Sequence, residues 1–334
     1  MTIERPASGA EPGPPQTVSP VPPVPATPEP PALTPMDLGQ MVDAVIALYR
    51  RRPWLLLGLC AVLQIPAAVL AGLILLPLPA RLAAMVGFDP FDPTARFDPS
   101  ISLPTPSTDD VLGLMGPIWL SALVTIVAGT LTSIAVAQAI MHLRLGQPAS
   151  VAGAYRAVFR RLLPSLVTLG LYTLAVVGLL LLGFVAVFVP LSLAPTATAG
   201  GPLAFGALLA LAAVLVLTVF VTVRWTFWPQ VIVLEDRGPL GSLGRSWRLV
   251  AGSTWRVIGY ALLFGLAAGV LQGLLAQVGL IVVDSLAALL SDTARLVLRF
   301  AVNTLTTLLL APIVPVAMTL LYADLRVRRG DVLA

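Results

Sequence analysis

Residues 223–257 read VRWTFWPQVIVLEDRGPLGSLGRSWRLVAGSTWRV, and this stretch decides how the rest of the chain is arranged. An apolar segment ends within it, a charged connector follows, and a second apolar segment begins. The stretch contains five of the 20 Arg and four of the six Trp of the chain. Arg and Trp together at the end of an apolar run are typical of the cytoplasmic interface of a membrane. We therefore expect a membrane protein whose spans are oriented by this connector.

The composition excludes a water-soluble globule. Hydrophobic residues make up 57% and charged residues 11% of the 334 residues, and the mean hydropathy is +0.94. A pI near 9.8 is also found in nucleic-acid-binding proteins, but here the basic residues stand in small groups at the ends of apolar runs. We predict no nucleic-acid partner. Because the chain has Arg but no Lys, we interpret the basic composition as the GC-rich coding bias of a bacterial genome.

Twelve of the 31 Pro lie in residues 1–35. This segment lacks the apolar region and the small-residue cleavage site of a signal peptide. So much Pro and so little apolar surface predict a disordered cytoplasmic tail. Its PxxP spacings leave docking to a partner as the alternative.

Six apolar segments follow, each long enough to cross ~30 Å of hydrocarbon at about 1.5 Å per helical residue. They cover about 53–76, 113–141, 163–190, 203–224, 257–283 and 300–322. The tail, the second and fourth connectors and the C-terminus hold 16 Arg, whereas the first, third and fifth connectors hold four Arg and seven Asp. The positive-inside rule then predicts that both termini are cytoplasmic, in the cytoplasmic (plasma) membrane of a bacterium.

A pattern of one amphipathic helix followed by two spans occurs three times. The amphipathic segments are MVDAVIALYRRRPWLLL, VAGAYRAVFRRLLPSLV and LGSLGRSWRLVAGSTWRVIG, in units that begin near residues 36, 148 and 236. In the first segment, Asp37 and Gln40 have the spacing of a capping box. The predicted fold is an all-α integral membrane protein, 36–334, made of three repeated units of interfacial helix and transmembrane hairpin.

The fourth connector also resembles a known family. Arg224-Trp225, Val233-Leu234-Glu235-Asp236, Gly238-Pro239 and Arg245-Ser246-Trp247-Arg248-Leu249 are similar to the signature of the glycerophosphoryl diester phosphodiesterase membrane-domain family. The ends of the domain, Met36-Asp37-Leu38-Gly39 and Tyr322 with Asp324-Leu325-Arg326-Val327-Arg328-Arg329, are similar as well. The resemblance covers about residues 36–331, although the Glu expected between Arg329 and Gly330 is missing.

The resemblance implies a membrane domain that in some relatives precedes a catalytic barrel with histidines and metal-binding carboxylates. This chain has one His in 334 residues, so we expect no such barrel and no catalytic acid/base pair. Its single cysteine, Cys60, excludes an intrachain disulfide and a thiolate metal site. No ionisable residue lies in mid-span, and no GKS/T, HExxH or GxSxG motif occurs. We predict no catalytic residues, no cofactor and no metal.

These observations favour a non-catalytic membrane scaffold or accessory module that contacts anionic lipid. The first alternative is a transporter or permease component, for which polar residues within the spans could line a path and Pro312 and Pro315 could interrupt the sixth span. The second alternative is a membrane-embedded enzyme of lipid metabolism. Beyond the bilayer itself, a homodimer or another membrane protein is a candidate partner.

Three groups of residues are candidate sites. The arginines of the amphipathic segments are expected to contact lipid headgroups: Arg50, Arg51, Arg52, Arg156, Arg160, Arg161, Arg245 and Arg248. Glu235 is expected to form an ion pair with Arg245 or Arg248, with a solvated Glu235 as the alternative. Gly265, Gly269 and Gly273 form GxxxGxxxG, which favours close helix packing inside the bundle or, alternatively, across a homodimer.

Overall fold

Helices joined by short connectors, with no β-strand, make up the residues that the structure describes. The structure, a computed structural model, describes residues 36–78, 80–82, 107–192, 197–286 and 289–331. The helices are α1 (Leu38–Arg51), α2 (Pro53–Leu75), α3 (Thr108–Arg144), α4 (Val151–Arg160), α5 (Leu162–Ser192), α6 (Ala197–Arg224), α7 (Trp228–Leu234), α8 (Pro239–Val250), α9 (Thr254–Ser285), α10 (Asp292–Leu310) and α11 (Ile313–Arg328). The predicted tail, residues 1–35, lies outside the described residues.

Six helical segments are long and apolar enough to cross a membrane, which confirms the prediction of an all-α chain with six such helices. They are Pro53–Leu82, Thr108–Arg144, Leu162–Pro190, Leu203–Leu234, Thr254–Ser285 and Ala294–Arg328. The fourth segment is longer than predicted because a helical turn continues it beyond Arg224. The sixth is longer because Ser291 caps the start of its helix, where the Ser291 side chain accepts a hydrogen bond from the amide of Ala294.

Short amphipathic helices lie where the sequence predicts the three surface helices. At α1 the predicted capping box is confirmed: Asp37 accepts from the amide of Gln40, and the Gln40 side chain accepts from the amide of Asp37. The start of α4 is capped by Ser150. Helix α8 begins with Pro239, which is tolerated there because the N–H of a first helical residue has no acceptor within the helix. Each helix buries one face. The organisation into three repeated units remains a prediction.

The buried core is concentrated at one end of the bundle, which we call the basic end. It is formed by α1, α4, α7, α8, the C-terminal half of α11 and the adjacent ends of α2, α3 and α9. In the most apolar 18-residue stretch of the sixth span, 44% of the residues are buried. In the corresponding stretches of the third and fifth spans only 6% are buried. The last span is therefore the centre of the core, whereas the other spans expose Leu, Val and Phe as lipid-facing helices do.

Two spans are interrupted. In the fourth, residues 225–227 form a turn between α6 and α7, and in the sixth, residues 311–312 form a turn between α10 and α11. Pro312 and Pro315 have no N–H, so neither can donate to the carbonyl four residues earlier in the chain. The Tyr49 hydroxyl donates to the carbonyl of Leu309 at 2.6 Å, which gives the end of α10 one partner from α1. The interruption that Pro312 and Pro315 could cause is thus a two-residue turn whose backbone keeps helical dihedral angles.

Candidate functional site

Glu235 is the centre of a cluster of hydrogen bonds and ion pairs at the basic end. It follows α7 directly, and its side chain is only 9% exposed. Its carboxylate accepts hydrogen bonds from Tyr322 Oη at 2.7 Å, from Arg245 Nε at 3.0 and 3.1 Å, and from Arg237 Nε at 3.0 Å. One carboxylate therefore connects α7, α8 and α11. The backbone of Asp236 then adopts the left-handed conformation, with φ of 51°, which ends the helix and turns the chain toward α8.

The two arginines proposed as partners of Glu235 are placed differently. Arg245 contacts Glu235 and also pairs with Asp331. Arg248 is exposed, and within the described parts of the chain no hydrogen bond or ion pair joins it to Glu235. The reason is helical geometry, because α8 buries Ser242, Ser246 and Leu249 and this places Arg248 on the opposite face. The expectation for Arg248 is corrected, and the role of the Glu235–Arg245 pair in stability stays a prediction.

A second buried carboxylate, Asp324 on α11, was not among the residues singled out from the sequence. Its side chain is fully buried. It accepts hydrogen bonds from the Met36 amide at 2.7 Å and Arg328 Nε at 2.9 Å, and it pairs with Arg256 Nη2 at 3.2 Å. Arg256 also donates to the Met36 carbonyl at 2.7 Å. Asp324 therefore joins the two ends of the described domain to the start of α9.

Two further arginines hold backbone at the basic end. Arg161, between α4 and α5, donates to the carbonyl of Ile232 at 2.8 Å and to that of Val233, and it pairs with Asp236 at 3.0 Å. It thus places a cation at the C-terminus of α7, where the helix dipole favours one. At the turn before α7, Arg224 lies 5.2 Å from the ring of Trp247 and donates to the Trp247 carbonyl at 3.3 Å.

The electrostatics of the cluster favour permanently charged groups. Desolvation by burial would raise the pKa of Glu235, but the hydrogen bonds from Tyr322 and Arg245 and the positive charges of Arg245 and Arg326 outweigh it, so the pKa is lowered. Burial would lower the pKa of Arg245, yet its hydrogen bonds to Asp331 and Glu235 raise it. A carboxylate held ionised in this way is a poor proton donor at neutral pH. A role of Glu235 as a structural anchor therefore stays our prediction.

The structure divides the eight arginines expected to contact lipid into two groups. Arg161 and Arg245 are engaged within the protein, as described above. The other six are exposed, and their side chains form no hydrogen bond or ion pair with another described residue: Arg50, Arg51, Arg52, Arg156, Arg160 and Arg248. Large exposed aromatic side chains occur on the same helices or at the next helix start: Trp54, two residues after Arg52, and Trp255, at the start of α9, are each 84% exposed, and Phe159, next to Arg160, is 60% exposed. The basic end therefore presents free guanidinium groups together with exposed aromatic rings.

Within the described ranges, no helix packs closely against the side of α9 that carries the glycines expected to mediate close packing. A Cβ built at Gly265, Gly269 or Gly273 would meet no heavy atom within 4 Å, so the expectation of packing inside the bundle is corrected. The close approach of α9 and α10 occurs one to two turns later, where a Cβ at Gly279 would collide with Val302 Cγ1. The GxxxG spacing identifies a face of the helix but not the neighbour that covers it. A homodimer along this face stays a prediction.

Among the described residues, no group of three or more His, Cys, Asp or Glu could hold a metal ion.

A family model described as a domain of unknown function (DUF7847) matches residues 36–325. No similar curated protein and no similar solved structure was found. Nothing in this match links the chain to the glycerophosphoryl diester phosphodiesterase membrane domain, so that resemblance stays a prediction.

Proposed function

The chain belongs to the DUF7847 family of domains, and we propose that it is a non-catalytic membrane module whose basic end contacts anionic lipid headgroups. The observation that carries the proposal is the division of the arginines at this end. Those that support the fold are paired with Glu235, Asp236, Asp324 and Asp331. Six others are exposed and have no partner among the described residues, so they are available for phosphate groups.

The energetics favour lipid contact over simple solvation of these groups. An Arg close to an anionic leaflet contributes about 1 kcal/mol, so six of them together provide strong attraction. Trp54 and Trp255 are exposed at the starts of α2 and α9, the level at which aromatic rings anchor spans in the headgroup region. Charge and aromatic anchoring therefore act at the same depth.

The proposed orientation places the basic end in the cytoplasm of a bacterial cell. It follows from the 16 Arg on one side of the predicted topology and four on the other. Reporter fusions at Gly146, Gly241 and Ala334 are then expected on the cytoplasmic side, and fusions at Ser107, Thr198 and Ser291 on the outside. A reporter at Gly241 that signals the outside would contradict the orientation.

The lipid proposal is tested by native mass spectrometry of protein taken from mixed bilayers. Arg50, Arg51 and Arg52 are changed to Gln as one set, and Arg156, Arg160 and Arg248 as a second set. We expect the wild type to retain anionic phospholipid and each set to lose most of it. Matched Arg→Lys sets keep the charge and the orientation signal and are expected to retain the lipid. Equal retention by the wild type and both Gln sets would reject the proposal.

A second candidate function, a transporter or permease component, is favoured by the interruption of the sixth span at Ala311 and Pro312. Interrupted spans place backbone polar groups within the bilayer, and transporters use them for substrate binding. Neighbouring genes separate the two candidates: a gene for an ATPase supports transport, whereas a gene for a lipid enzyme supports lipid handling.

A further inference from the structure

A cavity of about 870 Å³ lies in the half of the bundle away from the basic end. It is bounded by the C-terminal half of α2, most of α10, the middle of α3 and of α9, and the start of α11. Its size falls within the range of about 300 to 1,000 Å³ that is usual for small-molecule sites. The walls come from the first and the last pair of spans, so the cavity marks the separation between two hairpins.

The walls of the cavity leave room because they consist largely of small residues. Ala67, Ala71, Gly72, Gly265 and Gly269 are among them, and a Cβ at Gly265 or Gly269 would still meet nothing within 4 Å. Leu, Ile and Phe side chains supply the larger apolar groups of the lining. This lining suits a hydrocarbon chain.

The polar groups that the described residues bring to the cavity are uncharged. Gln272 donates from Nε2 to Thr307 Oγ1 at 2.8 Å, so these two side chains satisfy each other in part. Gln64 and Asn303 face the same space, and within the described ranges neither side-chain amide has a hydrogen-bond partner. A free amide at membrane depth costs free energy, which a hydrogen-bonding ligand would recover. Among the described residues that line the cavity there is no Arg, Asp, Glu or His, so none of them offers a counter-ion to a charged headgroup.

The interruption of the sixth span adds hydrogen-bond acceptors to this wall. Leu308 and Ala311 both line the cavity, and Pro312 and Pro315 deprive their carbonyls of the helical amide donor. Beside the two free amides, which can both donate and accept, this wall therefore offers two backbone carbonyls that only accept. A hydroxyl group, which donates as well as accepts, fits this balance better than an ester or a ketone.

We propose that this cavity binds an uncharged amphiphile with a long hydrocarbon chain and a hydroxyl group, held by the amides of Gln64 and Asn303. The hydrocarbon chain lies against the small-residue walls. The hydroxyl group hydrogen-bonds with a free side-chain amide or with a carbonyl that Pro312 or Pro315 leaves without a donor. This site is separate from the proposed headgroup contacts of the basic end, and loss of either leaves the other intact.

The test is photolabelling of the reconstituted full chain in phosphatidylcholine vesicles with a diazirine derivative of hexadecanol. We expect labels on the cavity segments of α2 and α10 that unlabelled hexadecanol removes. The matched diazirine palmitate, which carries a charge, is expected to label these segments at least tenfold less. Equal labelling by the two probes, or labelling that hexadecanol does not compete, identifies bulk bilayer contact and overturns the proposal.

Variants connect the labelling to named residues. Gln64→Leu and Asn303→Leu are each expected to weaken hexadecanol competition about fivefold, the effect of losing one hydrogen bond at membrane depth. Gln277→Leu is the matched control, because Gln277 is an exposed amide on α9 outside the cavity lining.

A filling variant tests the volume without removing a polar group. Gly269→Val places atoms into open cavity space and should abolish competed labelling while the protein stays folded, as judged by its unfolding temperature. Gly273→Val adds the same atoms one turn away, outside the lining, and should label like the wild type. Unchanged labelling of a folded Gly269→Val variant contradicts the proposal.

Discussion

The basic end and the opposite half of this protein are held together by different interactions. At the basic end, short helices cross, apolar residues are fully buried, and two carboxylates take hydrogen bonds from several elements each. In the opposite half, long helices pair in hairpins, contact one another through glycines such as Gly72 and Gly279, and leave a cavity. A bilayer supplies the apolar environment for the second half, so that half needs little protein core. The first half builds its own core, and we expect it to provide most of the stability in detergent.

The largest effect is expected from the buried carboxylate of Asp324. Asp324→Leu removes the common partner of Arg256, Arg328 and the Met36 amide, and it should lower the free energy of unfolding by about 3 to 5 kcal/mol. Unfolding in detergent, followed by Trp fluorescence, measures the change.

The control lies in the opposite half. Asp284 pairs with Arg299, but both side chains are about half exposed, so Asp284→Leu should cost at most about 1 kcal/mol. Equal losses for the two variants would show that the two ends do not differ as proposed.

A smaller effect, of about 1 to 3 kcal/mol, is expected from Gly279→Ala. The added methyl group would collide with Val302, whose β-branched side chain has little rotamer freedom. Gly265→Ala, on the same helix, meets open space and should be neutral or slightly stabilising. The unfolding temperatures of the two variants in the same detergent compare a packed and an open glycine directly. If both variants match the wild type, α9 and α10 do not approach at Gly279.

The pairing within the cluster is measured by a double-mutant cycle. Glu235→Gln and Arg245→Gln should show a coupling of about 1 to 2 kcal/mol, because the pair is charged, hydrogen-bonded and largely shielded from solvent. Glu235→Gln and Arg248→Gln should add within the scatter of independent sites, about 0.3 to 0.5 kcal/mol. Additive losses in the first cycle would show that Glu235 does not anchor α8.

The smallest predicted effect is on the pH dependence of stability. The pKa of Glu235 lies below its ordinary value of 4.5 in the folded protein, so the unfolded state binds more protons in this range. The stabilisation by Glu235 is complete above about pH 4.5 and is lost as pH falls through the folded pKa. Unfolding temperatures between pH 7 and pH 3 should therefore fall less for Glu235→Gln than for the wild type. Arg248→Gln should follow the wild-type curve, and parallel curves for all three proteins would contradict the prediction.

The sequence predicted those features that depend on local pattern. Six apolar segments, the short amphipathic helices and the capping box of Asp37 and Gln40 all follow from spacing within a few turns. The burial of Asp324 does not, because its partner at Met36 is 288 residues away in sequence. The acid stands at a span end among arginines, where exposure is the ordinary expectation. Its place in the quoted motif that resembles a known family was the one sequence signal for it.

The glycines also show that a pattern within one helix does not predict contacts between helices. The GxxxG spacing places Gly265, Gly269 and Gly273 on one face, yet the neighbour of that face depends on how the hairpins diverge. Likewise, the amides and prolines of the spans are visible in sequence, but only the assembled helices bring Gln64, Asn303 and the carbonyls released by Pro312 and Pro315 to one cavity.

The position of Tyr322 and Asp324 on the last helix has a consequence for biosynthesis. The ribosome completes α1, α4, α7 and α8 before these two side chains exist, so during translation Glu235, Arg256 and the Met36 amide lack their partners on α11. The core of the basic end can close only after the sixth span has been made and inserted. A chain truncated before residue 322 would still contain the first five spans and insert into the membrane. Its buried charged groups would lack their partners on α11, which would make it a substrate for proteolytic quality control.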